Sequence, residues 1–352
     1  MQSVFYWGSE GLSLVRSNPY GGLLARAMAE QGAELIAGYD GGLNEAWLLE
    51  NQGQVDVLHL NWPHYMYDAP DLGDCVSRCT ELIGHLARAR SLGYKVVWTV
   101  HNLYPHESVH FELHRLARLA ITRLATALIV HCEYARKCVQ EHFYRSEGVF
   151  TIPHGHFIDA YPNTISREKA RHELGLAKGQ FVYLFFGNVR PYKGLEQLLK
   201  IFSDLPGDDL ALLMAAKVYN DYGEQLVKGA QEADPRIVVH TSSFFPSEDF
   251  QLYLNAADVV VLPFVDILTS GSAITAMSFA RPVIVPGIGC LPELVDKRMG
   301  MVYDPNRPDA LKEAMVTVQE RDLAACGRAA YRQAESLSWE SIAGLTLEAY
   351  RY

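Results

Sequence analysis

Short apolar runs rich in β-branched and aromatic residues recur along the chain, and longer segments of helical periodicity separate them. In the first half the runs are "SVFYW" (3–7), "VDVLHL" (55–60), "KVVWTVH" (95–101), "TALIVH" (126–131) and "VFTIP" (149–153). Between them, "GLLARAMAEQG" (22–32) and "CTELIGHLARARSLG" (79–93) repeat apolar residues at the spacing of one helix face. Alternation of this kind predicts a parallel α/β sheet with helices on both faces. The rhythm breaks over "HGHFIDAYPNTISREKARHELGLAKGQ" (154–180), a polar stretch containing Pro162, where a domain boundary is expected. A second series follows: "FVYLFFG" (181–187), "LALLMAA" (210–216), "RIVVHT" (236–241), "DVVVLPF" (258–264), "RPVIVPG" (281–287) and "GMVYD" (300–304). Two doubly wound sheets of similar size are therefore expected to face one another across a cleft. In open α/β sheets ligands sit beyond the carboxyl ends of the strands, which makes that cleft the expected site.

Composition narrows this picture. At 352 residues and 49% hydrophobic, the chain can supply a core for each domain. A charged fraction of 20% and a net charge of −10, without a local basic patch, argue against a nucleic-acid partner. Six scattered cysteines without a C-x-x-C pair read as reduced thiols of a cytoplasmic protein. The first residues read as a strand and not as a targeting segment. No apolar run approaches the roughly 18 residues that a membrane-spanning helix needs.

The strongest local chemistry lies in "LFFGNVRPYKGLEQLLKIF" (184–202), where a strand ends, a turn carries Arg190 and Lys193, and Gly194 opens a helix. Two cations and the free amides of a helix start suit a phosphate. The plainer reading is a pair of solvated loop charges. In "TSGSAITAMSFARPVIV" (269–285), Ser270, Gly271 and Ser272 open another helix, either as an anion-holding nest or as an ordinary serine cap. Two such turns in one half point to a diphosphate. In the first half, Pro19 with Gly21 and Gly22 forms a third turn where backbone can approach a ligand closely. Opposite it, one strand-end loop carries His101, Asn102, His106 and Glu107, and another carries His59, Asn61, Trp62 and His64. Polar and aromatic side chains clustered in this way suit sugar hydroxyls and rings; capping of strands or helices is the alternative for the histidines. The loop positions lack the i, i+4 spacing of a helical metal pair, so no metal site is expected.

The succession "NPYGG", "TVHN", "IPHG", "FFGNVRPYKG", "AADVVVLPF", "AMSFARPVIV", "LPELV" and "SWESI" resembles the GT-B glycosyltransferases of the family-4 type over nearly the whole chain. The resemblance implies a GT-B fold of two Rossmann-like domains: an acceptor-binding domain over 1–160, a nucleotide-sugar-binding domain over 161–336, and a final helix over 337–352 returning to the first. It places Arg190 and Lys193 on the donor diphosphate, with Gly21, Gly22, Ser270, Gly271, Ser272, Thr275 and Glu293 as further donor contacts. Asn61, Trp62 and Asn102 fall on the acceptor side. Retaining members carry two glutamates eight positions apart, but here those positions hold Ile267 and Thr275; Asp266 lies one residue from the first. An inverting reaction then becomes the expectation, with His106 and Glu107, and His101 behind them, as candidates to remove the acceptor proton. The Ser-Gly-Ser variant is similar to exopolysaccharide enzymes of the xanthan-type β-mannosyltransferase kind, which implies GDP-mannose as donor and a lipid-linked glycan acceptor. No metal or cofactor is required, because cations and helix dipoles can stabilise the departing diphosphate. The stretch "HRLARLAITRLATALIV" (114–130), with Arg115, Arg118 and Arg123 beside apolar residues, is either a helix lying on the inner face of the cytoplasmic membrane or a buried helix followed by a strand. A sugar-nucleotide epimerase and a silent nucleotide-sugar-binding subunit are the competing classes.

Overall fold

The runs of β-branched and aromatic residues form twelve strands, seen in a computed structural model that describes residues 4–7, 12–14, 18–38 and 43–352. Ser3 of the first predicted strand and Ser17 of the first glycine-bearing turn lie outside the described residues. By chain contacts the molecule divides into one unit reaching Gly155 and including Ser338–Tyr352, and a second unit, His156–Leu337.

The first unit holds β1 (Val4–Trp7), β2 (Leu35–Ala37), β3 (Val57–Leu60), β4 (Lys95–Thr99), β5 (Ala127–Val130) and β6 (Val149–Thr151), in the order β2-β1-β3-β4-β5-β6. The second holds β7 (Phe181–Asn188), β8 (Leu210–Lys217), β9 (Ile237–Ser242), β10 (Val259–Val261), β11 (Val283–Pro286) and β12 (Gly300–Tyr303), in the order β12-β11-β10-β7-β8-β9. Every pairing is parallel. Parallel strands need crossover helices on both faces, which is why β3, β5, β10 and β11 are buried at every position. In each sheet the strand order reverses once, between β1 and β3 and between β10 and β7, and loops diverge there to leave a ligand crevice.

Side-chain spacing explains the packing. Helix Leu195–Ser203 buries Leu195, Leu198, Leu199 and Phe202, the i, i+3, i+4, i+7 stripe, against Tyr183, Phe185 and Met214 of the second core. Each such side chain contributes about 1.5–3 kcal/mol on burial. One buried carboxylate ties this unit together: Asp258 accepts from Arg171 Nη2 at 2.7 Å and from the Val182 amide at 2.8 Å, just before β10 and at the start of β7.

The closing helix, Trp339–Arg351, starts at Ser338, whose side chain accepts from the Ser341 amide. It is held in the first unit by bonds from Gln31 Nε2 to the Glu340 carbonyl, 2.7 Å, and between Tyr350 Oη and His59 Nδ1, 2.7 Å. Gly155 makes the approach of Trp339 possible, because a Cβ there would lie 2.4 Å from the indole. Cys75, Cys79, Cys138 and Cys326 are buried free thiols.

Candidate functional site

In the second unit the chemistry gathers at the β7/β10 reversal. Gly194 follows the short 3-10 turn Pro191–Lys193 at φ +69, and a Cβ on it would stand 1.9 Å from the Pro263 carbonyl oxygen. The Val265 amide donates to the Tyr192 carbonyl at 2.8 Å, so the loops after β7 and β10 are stitched together. That stitching buries Lys193 to 9% exposure, with Nζ 4.6 Å from the centroid of Phe264 and 5.3 Å from that of Tyr192. No carboxylate among the described residues pairs with it. Burial lowers its pKa to about 8. Arg190 is half-buried with its guanidinium 5.4 Å from the centroid of Tyr219. Neither Phe264 nor Tyr219 was singled out by the sequence; apolar and aromatic residues in a strand-end loop look like core until the loop path is known.

Helix Gly271–Ser278 begins beyond β10. Ser270 is its cap, with Oγ accepting from the Ala273 amide at 3.2 Å, so the plainer reading applies to that hydroxyl. The Gly271 and Ser272 amides are the helix-start donors that the cap does not use. Thr275 is buried and donates its hydroxyl to the Gly271 carbonyl at 2.9 Å, a bond within the helix. Asp266 and Glu293 are both exposed, the latter in the four-residue helix Leu291–Leu294.

In the first unit, Gly21 and Gly22 are not in a turn but in the first turn of helix Tyr20–Glu30, which corrects the expectation. A Cβ on Gly22 would meet Leu14 Cδ2 at 2.7 Å and the Leu12 carbonyl at 2.8 Å, so the close backbone approach there is made by the chain itself. His101 lies just beyond β4, 4% exposed and stacked on Trp62 with centroids 4.2 Å apart and planes 11° from parallel. Its Nε2 is 2.9 Å from Asn61 Oδ1 and its Nδ1 is 3.1 Å from His131 Nε2. His131 Nδ1 in turn donates to the Ile152 carbonyl at 2.9 Å. Tyr20 packs edge-on against His101, His154 and Trp339. Burial pushes His154 down to about 3 and His131 to about 4. Burial, then His131, His154 and His59, hold His101 well below its usual range. These rings are neutral imidazoles.

Other candidates divide. Asn102 Nδ2 donates to His106 Nε2 at 2.8 Å, which fixes that ring, while Glu107 is exposed. His59 is buried between Tyr350 Oη and Thr99 Oγ1, both at 2.7 Å, and is structural. His64 Nδ1 sits 3.4 Å from Arg118 Nη2. Arg118 points inward from helix Phe111–Leu124 and is 2% exposed, so of the three arginines only Arg115 and Arg123 face outward. Sequence reading did not assign His131 or His154 a role. The available signal was that a histidine sits near the carboxyl end of each of four successive runs, in "VLHL", "TVH", "LIVH" and "TIPH". Among the described residues no group of three or more His, Cys, Asp or Glu could hold a metal ion, and no helix is long and apolar enough to cross a membrane.

Residues 166–333 match the family model described as glycosyl transferases group 1. A GDP-mannose:glycolipid 4-beta-D-mannosyltransferase of Xanthomonas campestris pv. campestris is 29% identical over 242 residues, 66% of this chain and 62% of that protein. The chain thus spans less than two thirds of that relative. A D-inositol 3-phosphate glycosyltransferase of Streptomyces avermitilis is 24% identical over 96% of this chain and 73% of its own. Among solved structures, sucrose-phosphate synthase from Thermosynechococcus elongatus superposes with a TM-score of 0.75 at 18% identity, covering 100% of this chain and 98% of that one. Anabaena HepE in complex with UDP gives 0.72 at 16% identity, covering 99% of both chains.

Proposed function

On the premise that the chain belongs to the GT-B glycosyltransferases, with a group 1 domain over residues 166–333, we propose that it moves a hexose from a nucleoside-diphosphate donor to a hydroxyl of a glycan or lipid-linked glycan. Mannose from GDP-mannose is the first donor, supported by the name of the Xanthomonas relative. The observation that carries the reading is Lys193, a buried ammonium without a carboxylate at the sheet's reversal point. A buried charge without a counterion is costly unless a ligand supplies one, and a diphosphate does.

The acceptor oxygen attacks the anomeric carbon as the bond to the diphosphate oxygen breaks, and the electron pair leaves on the nucleoside diphosphate. Lys193, Arg190 and the Gly271 and Ser272 amides meet the charge that develops there, so no metal is needed. The acceptor proton passes to a base. His106, which can act when Asn102 turns its amide oxygen to an Nε2 proton and so leaves the lone pair on Nδ1, and exposed Glu107 are the candidates, and His101 with Asn61 and Trp62 would orient the acceptor. With Ile267 and Thr275 at the paired-glutamate positions, the reading is an inverting displacement. Phe111, Arg115, Leu116 and Arg123 face outward on one helix and suit peripheral contact with a membrane surface that presents the acceptor lipid.

Incubation with GDP-mannose, UDP-glucose, UDP-glucuronate or UDP-N-acetylglucosamine, with and without a lipid-linked acceptor, tests this. Acceptor-dependent release of GDP is expected. Conversion of the donor alone would indicate an epimerase, and binding without turnover a silent subunit; either result overturns the proposal.

A further inference from the structure

Helix Phe111–Leu124 turns His114, Arg118 and Thr122, four residues apart, into the first unit's interior. The Arg118 guanidinium lies 5.0 Å from the centroid of Trp98 and approaches His64 Nδ1 at 3.4 Å. Its Nε and Nη1 have no hydrogen-bond partner, and no carboxylate among the described residues pairs with it. Asp68 lies 3.3 Å from His114 Nε2, a close approach without hydrogen-bond geometry. Trp98 Nε1 and Thr122 Oγ1 are likewise buried and unpartnered. Several buried donors on this side of the first unit are thus unmet. An unpaired buried guanidinium costs several kcal/mol, and natural interiors seldom leave such donors unmet.

We propose that Arg118, with Trp98 Nε1–H and Thr122 Oγ–H, holds an oxyanion, a carboxylate or phosphate carried by the acceptor. This rests on the reading of the first unit as the acceptor side, and it sharpens that reading: the acceptor is an anionic sugar or a phosphorylated carrier. Arg118 touches His64, which belongs to the segment after β3. At 2% exposure it is closed off in this structure, so filling the site requires that segment to shift.

The test uses the full chain carrying Lys193→Ala, so that the donor-side cation does not compete, and reads thermal shift and calorimetry with methyl β-glucuronide or methyl phosphate. At least one probe is expected to raise Tm, and the probe that does so identifies carboxylate or phosphate. Adding Arg118→Met should abolish that rise and weaken Kd at least tenfold, while leaving the ligand-free Tm equal or higher, because it removes an unpaired charge. A purely structural arginine predicts the reverse, a lower starting Tm and no probe effect to lose. No shift with either probe, or an equal shift in Arg118→Met, would overturn the proposal. Anion binding is read without donor turnover, so its success alongside an absence of transfer would sink the enzyme reading and leave this one standing.

Discussion

His131 Nε2 and His101 Nδ1 face each other at 3.1 Å, and only one of the two nitrogens can carry the shared proton while both rings are neutral. His131 donates its Nδ1 proton to the Ile152 carbonyl, so its Nε2 accepts and His101 donates from Nδ1. His101 is left with a lone pair on Nε2, directed at Asn61, and the pair is satisfied when Asn61 turns its amide nitrogen to the ring. His131 is in this sense a positioning residue for His101.

Replacing His131 with Phe should therefore disturb the tautomer of His101 without touching the donor. Acceptor-dependent kcat is expected to fall about tenfold or more, on the scale of misplaced acid–base groups, with nucleotide affinity unchanged. His131→Gln, which retains a side-chain acceptor, should recover part of the loss. Equal activity of His131→Phe and wild type would remove the positioning role.

The buried imidazoles also make stability depend on pH. In the folded protein burial holds His59 near 3, His154 near 3 and His131 near 4, against 6.5 in the unfolded chain. Unfolded chains then bind more protons between those limits, so stability is complete above pH 6.5 and is lost as pH falls toward 3–4. By pH 5 each ring withdraws on the order of 2 kcal/mol. Denaturant midpoints at pH 7.5 and 5.0 measure this, and a flat profile would contradict neutral burial.

Lys193 gives a pH dependence of opposite sense on the donor side. With its pKa lowered to about 8 by burial, the ligand-free amine loses its charge above that pH. Nucleotide affinity should then weaken by up to tenfold per pH unit between pH 8 and 9. Lys193→Arg keeps its charge and should flatten the dependence, whatever its affinity at pH 7. Calorimetry with GDP at pH 7, 8 and 9 reads both.

Alternation of apolar runs with helical periods made the two parallel sheets legible, because burial on both faces leaves a continuous apolar signature. Arg190, Lys193 and Gly194 were legible as a turn for the same local reason: a cation pair beside a helix-opening glycine at a strand end. What the sequence hid depends on tertiary neighbours. Gly21 and Gly22 read as a turn, yet both lie in the helix, and the small size of Gly22 is used where Leu12 and Leu14 approach it. Arg118 was one of three arginines on a helix that could lie on a membrane or be buried, and only the path of the helix decides that it faces Trp98. The His101–His131 pair joins residues 30 apart in sequence, and no local pattern encodes that bond.

Glycine at 194 separates a backbone effect from a close approach. Gly194 and Gly187 both hold positive φ, +69 and +125, but a Cβ on Gly187 meets nothing within 4 Å whereas one on Gly194 stands 1.9 Å from the Pro263 carbonyl oxygen. Gly187→Ala should cost only the backbone term, about 1–2 kcal/mol. Gly194→Ala adds a clash that the stitched loops cannot relieve without opening the contact between Val265 N and the Tyr192 carbonyl. Lys193 then loses the enclosure over Phe264 that lowers its pKa. Gly194→Ala is expected to weaken GDP binding at least tenfold and to abolish the alkaline loss of affinity, while Gly187→Ala retains both. Equal behaviour of the two variants would mean that the approach of the β10 loop to Gly194 does not shape the Lys193 site.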